Sequence, residues 1–141
     1  SNFLKIPKGK KGYSNQGGSI RNVKLDKNYG KLKVQTKKID DLKLKNVGFI
    51  KIDAEGVELK VLEGAKKLIK KYKPTLLIEI EERYISEPIE KSLNKIMYLG
   101  YRGFALIDET LTPLKFCDGD KNHRIDYGPK HHANAFIFFA K

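Results

Sequence analysis

Two short runs of nearly uninterrupted apolar residues, 47–52 and 75–80, flank one amphipathic stretch, and this arrangement constrains the chain more than any other feature in it. Apolar runs of that length are the pattern of strands covered on both faces. Between them Leu59, Leu62, Ala65 and Ile69 fall on one helical stripe, which Val61, Leu68 and Tyr72 widen. Glu55 and Glu58 stand at the positive start of this helix, and Lys70, Lys71 and Lys73 near its negative end. Pro74 stops it. Strand–helix–strand units of this kind close as parallel crossovers. The segments 47–53 and 75–80 are therefore expected to be adjacent, parallel and central in one sheet.

The flanking sequence extends the same architecture. A second helix is expected from near Pro88 to Leu99, with Ser86 as its N-cap and Gly100 as its stop. Ile89, Leu93, Ile96 and Met97 form its apolar stripe. Two more strands are expected at 101–107 and 133–140, the last antiparallel to its neighbours. At the other end, Leu4 and Ile6 alternate with Lys5 and suggest a short strand ended by Pro7. Gly17-Gly18-Ser19 reads as a loop. Leu32, Val34 and Thr36 alternate with Lys31, Lys33 and Gln35, a half-exposed strand antiparallel to an earlier one. At 141 residues the chain reads as a single domain, 1–141.

Composition narrows the function classes. Hydrophobic residues make up 40%, enough for an ordinary packed core. No apolar run approaches the roughly 20 residues of a membrane helix. Lys5, Lys8, Lys10 and Lys11 interrupt any signal-like apolar stretch. The single Cys117 forms no internal disulfide and agrees with a reducing compartment, so a cytoplasmic location is expected. The net charge is +12, carried mostly by Lys spread along the whole chain. Base-reading surfaces favour Arg forks beside aromatics. This charge therefore reads as a solvated surface, with no specific nucleic-acid partner.

The segment 49–65, with Lys51-Ile52-Asp53-Ala54-Glu55-Gly56 at its heart, strongly resembles the signature of FkbM-type methyltransferases. The stretch Pro74-Thr75-Leu76-Leu77-Ile78-Glu79 resembles the next strand of that family. Ile39-Asp40-Asp41-Leu42, the Gly17-Gly18-Ser19 loop and the Leu99-Gly100-Tyr101 turn are also similar. The resemblance implies an α/β fold: a partial class I methyltransferase (Rossmann-like) sheet, mostly parallel with one antiparallel strand near the edge. It also implies transfer of a methyl group from S-adenosylmethionine to a hydroxyl of a small molecule or carbohydrate. The family's opening strand, its Gly-rich cofactor turn and its ribose-binding acid find no match here. The chain is thus expected to be the C-terminal portion of the domain, inactive alone and prone to self-association through an exposed strand. The alternative reading is a non-catalytic remnant or a polyanion-binding module.

The candidate chemistry gathers at strand ends. Asp53 closes a central strand, where ligands of open α/β sheets bind. The resemblance implies that Asp53 and Ala54 border the cofactor, and Asp53 can serve as general base for an acceptor hydroxyl. Its other role would be to cap the Glu55 and Gly56 amides. Lys51 interrupts an apolar strand and needs a partner, Asp53 or Glu79, or else an edge position that reaches water. Adjacent strands lie about 4.8 Å apart, so Asp53 and Glu79 can converge, sharing a proton or holding Mg²⁺. Two carboxylates alone do not define a metal site, and none is assigned. The resemblance places Glu55, His131 and His132 beside the acceptor, while the two histidines read equally as part of an exposed polar loop. Cys117 reads as a small core or loop residue.

Overall fold

The computed structural model describes residues 2–9, 12–13, 18, 20, 29–124 and 134–141. They fall into two compact units, residues 1–38 and 39–141. Of the expected loop at 17–19, only Gly18 lies within the described residues.

The first unit is a three-stranded antiparallel sheet. Its central strand β1 (Asn2–Gly9) lies between β2 (Gly12–Tyr13) and β3 (Tyr29–Val34). The strand does not end at Pro7, which pairs with Tyr29. β2 reaches only Lys8 and Gly9, so Pro7 has a neighbour on one side alone, where a missing N–H is tolerated. The expected alternation is also inverted: Lys5 is buried, its ammonium 5.5 Å from the Tyr29 ring centre, while Leu4 and Ile6 are half-buried.

The second unit is mixed α/β. In chain order it contains β4 (Phe49–Asp53), α1 (Glu58–Gly64), α2 (Lys66–Tyr72), β5 (Thr75–Glu79), α3 (Ile89–Met97), β6 (Tyr101–Ile107), β7 (Thr110–Pro113), α4 (Gly119–Asn122) and β8 (Ala135–Ala140). The strands form one sheet in the order β4-β5-β8-β6-β7. β4 and β5 are parallel and adjacent, in register from Phe49↔Thr75 to Asp53↔Glu79. β8 is antiparallel to both β5 and β6, so β5 and β6 run the same way. Among the described residues the sheet is therefore mixed, with a single parallel pair, rather than mostly parallel in its pairing. β8 lies between β5 and β6 and runs against both, which separates these two like-directed strands. The β6–β7 hairpin turns on Asp108 and Glu109, with φ of 47° and 61°; such turns dictate antiparallel pairing. The whole is consistent with a Rossmann-like fold.

All the core lies on one face. Ile52, Leu76, Ile78, Tyr101, Ala105, Phe136 and Phe138 from the sheet meet Leu62, Ile69, Ile89, Leu93 and Ile96 from the helices. Each large apolar side chain so buried contributes about 1.5–3 kcal/mol before entropy is counted. The Tyr101 hydroxyl, buried among them, donates to the Pro74 carbonyl at 2.9 Å. The other face of the sheet carries exposed apolar side chains: Phe49 is 54% exposed and Leu106 59%. This corrects the expectation that 47–52 is covered on both faces and central. Among the described residues β4 is an edge strand, with Phe49, Lys51 and Asp53 outward and Ile52 inward.

Two helix details also differ from expectation. The single helix expected after Gly56 breaks at Ala65, where φ is −112° and ψ 11°, giving α1 and α2. Ser86 does not cap α3; the cap residue is Pro88, and the Ile89 N–H donates instead to the Glu82 carboxylate at 2.7 Å. Among the described residues, no helix is long and apolar enough to cross a membrane.

Candidate functional site at the carboxyl edge of the sheet

The alternation of β4 puts Lys51 and Asp53 on one face, and the parallel register brings Glu79 beside Asp53. Lys51 Nζ lies 3.0 Å from Glu79 Oε1 and 3.9 Å from Asp53 Oδ2. The three side chains that the sequence singled out therefore form one cluster. Both roles weighed for Lys51 coexist: its side chain is 52% exposed, and its ammonium bridges the two carboxylates. The hydrogen bond and charge of Glu79 raise the Lys51 pKa above its usual value, so it stays protonated. Its positive charge stands where a cation between the carboxylates would be needed. Among the described residues, no three His, Cys, Asp or Glu side chains are grouped to hold a metal ion.

The turn after β4 is held from below. Glu55 and Gly56 both have positive φ, 51° and 90°, a conformation that costs Gly56 nothing and strains Glu55. The buried Glu58 carboxylate accepts the Gly56 N–H at 2.7 Å and the Ala54 N–H at 3.3 Å. It is Glu58, not Asp53, that ties down these amides. The Asp53 carboxylate is thereby left at the open edge, 48% exposed. Sequence reading saw in Glu58 only a favourable charge at a helix start. Its position two residues after Gly56, able to reach back to that amide, was the available signal.

Glu55 turns towards Tyr84, in the short 3₁₀ turn Glu82–Tyr84 after β5. Burial, with the Glu55 charge and hydrogen bond, raises the Tyr84 pKa above its usual value. Tyr84 thus adds a hydroxyl to the carboxyl edge that the sequence did not flag. His131 and His132 lie outside the described residues.

A second polar cluster went unanticipated. Arg124 contacts Glu82 Oε2 at 2.7 Å, Glu90 Oε2 at 2.6 Å and Asp120 Oδ1 at 2.7 Å. It ties the segment after β5 to the first turn of α3 and to α4. The Arg124 hydrogen bond lowers the Glu82 pKa to about 2. Buried His123 accepts the Glu82 N–H at Nε2, 3.0 Å away. Cys117 packs half-buried against the core, and burial pushes its thiol pKa up, the opposite of nucleophile activation.

No curated protein and no solved structure matches the chain. The family model described as the methyltransferase FkbM domain matches residues 3–106, from β1 to β6.

Proposed function

The chain belongs to the FkbM methyltransferase family, and on that premise we propose that it serves methyl transfer from S-adenosylmethionine to a hydroxyl oxygen of a small molecule or sugar. The observation that carries this reading is the register of Asp53 with Glu79 at the carboxyl ends of two parallel strands, where ligands of open α/β sheets gather. The donor set suits the charged end of the cofactor. Asp53, half-exposed and 3.9 Å from Lys51, offers its carboxylate to an ammonium or sulfonium cation, and the Ala54 backbone follows directly. When bound, S-adenosylmethionine supplies an electrophilic methyl group.

The chain's own residues then have distinct tasks. Asp53 accepts the proton of the acceptor hydroxyl at its exposed carboxylate, as general base. Lys51 offsets the repulsion between Asp53 and Glu79 and holds Glu79 in place. Glu58 fixes the turn that presents Asp53 and Ala54. Glu55, with His131 and His132, meets the acceptor.

Because the family's cofactor turn finds no match in this chain, the test joins the chain in one polypeptide to a cofactor-binding segment of the family and incubates it with methyl-labelled S-adenosylmethionine and a panel of sugars and small alcohols. Label on a hydroxyl oxygen is the expected result. Transfer only to nitrogen or carbon, or to nothing in the panel, overturns it.

A further inference from the structure

On the helical side of the sheet, residues of α1, α2 and α3 and the following Leu99 line a groove of about 500 Å³. Its apolar walls are Leu59, Leu62, Ile69, Ile96 and Leu99. Four ammonium groups, from Lys66, Lys70, Lys73 and Lys95, stand around it, against the single acid Glu63. Lys95 is paired with Glu87 at 2.7 Å. Among the described residues, Lys66, Lys70 and Lys73 have no ion-pair partner. Helix stability accounts for Lys70 and Lys73, which stand at the negative end of α2. Lys66 opens α2 two residues after α1 ends at Gly64. We propose that this groove binds a single-chain anionic amphiphile, a long-chain fatty carboxylate, with the alkyl chain on Leu59 and Leu99 and the carboxylate among Lys66, Lys70 and Lys73.

The shape argues for a thin chain rather than a docked helix. Leu62 and Ile69 are each only 4% exposed and Ile96 is fully buried, so the floor is already packed. It has no deep sockets for the side chains of a helix about 10 Å across. The volume falls within the roughly 300–1,000 Å³ of small-ligand sites. The charges match one anionic head group rather than a neutral lipid. α2 and α3 lead into the starts of β5 and β6, so Lys73 and Leu99 stand at the end of the strands opposite Asp53 and Glu79. The groove runs from Leu59, near the start of α1, to Lys73 and Leu99, and its basic end is the one away from Asp53 and Glu79.

Calorimetric titration with dodecanoate below its micelle concentration, with methyl NMR of the leucines, tests the proposal. Saturable binding of one dodecanoate is expected, with shifts at Leu59 and Leu99. Lys66→Glu with Lys70→Glu should weaken it about tenfold or more. Lys60→Glu with Lys67→Glu changes the net charge equally but lies off the groove, and should leave binding within about twofold. Equal weakening in both variants, equally tight binding of dodecyltrimethylammonium, or binding to anionic vesicles without binding of free dodecanoate would each overturn it.

Discussion

Asp40 and Leu68 are joined across 28 residues of chain: the Asp40 carboxylate accepts the Leu68 N–H at 2.9 Å. Its other oxygen accepts the Lys67 N–H at 3.0 Å. The break at Ala65 leaves the first amides of α2 without helical partners, and a distant acid supplies them. Asp40→Ala should therefore cost about 1 kcal/mol in urea unfolding. Asp41→Ala, exposed in the same 3₁₀ turn, should cost less than about 0.5 kcal/mol. Equal effects of the two would show that Asp40 is not a cap.

Glu58 gives a second prediction. Replacing it with Ala leaves the Ala54 and Gly56 amides without their acceptor and should destabilise the protein by about 1–3 kcal/mol. Amide exchange at Gly56 should quicken more than exchange along β5. A Gly56 amide whose exchange is unaltered would separate Glu58 from the turn.

The Arg124 cluster predicts an acid response. The folded-state pKa of Glu82 is lowered from 4.5 to about 2, so its ionised form is favoured by folding. The stability it contributes is present above about pH 4.5 and is lost as pH falls towards 2. Thermal midpoints measured across that window should fall less steeply in Glu82→Gln than in the parent chain. Parallel curves for the two proteins would remove Glu82 from the acid transition.

Asp53→Asn keeps the shape of a half-exposed side chain and removes its basicity. In a full-length version that carries the cofactor-binding segment, turnover should drop by roughly 10²–10⁴-fold, while stability changes by less than about 0.5 kcal/mol. Retained turnover would make the Asp53 carboxylate structural.

The exposed apolar side chains of the sheet predict association. Phe49 is exposed on β4, which among the described residues has no strand beyond it, and Leu106 and Leu111 are exposed as a cross-strand pair near the opposite edge. Such edges and patches pair with further copies. Sedimentation coefficients should rise with protein concentration, and Phe49→Lys should suppress the rise. A concentration-independent coefficient for the parent chain would refute this.

Apolar periodicity is a local property, and it was enough to locate β4, β5, β6, β8 and the stripe of α3 from the sequence. Because side chains alternate along parallel strands in register, it was also enough to bring Lys51, Asp53 and Glu79 together. Other features depend on residues far apart in the chain, and only the folded structure decided them. The insertion of β8 between β5 and β6 set the mixed pairing of the sheet. The edge position of β4 exposed Phe49, which its apolar run alone could not reveal. Asp40 reaches α2, and Arg124 reaches Glu82, across separations that no window of sequence spans. Glu58 stands between these cases. Its carboxylate was visible, but whether it or Asp53 would take the Gly56 amide depended on the left-handed backbone at Glu55 and Gly56, which the assembled strand, turn and helix impose.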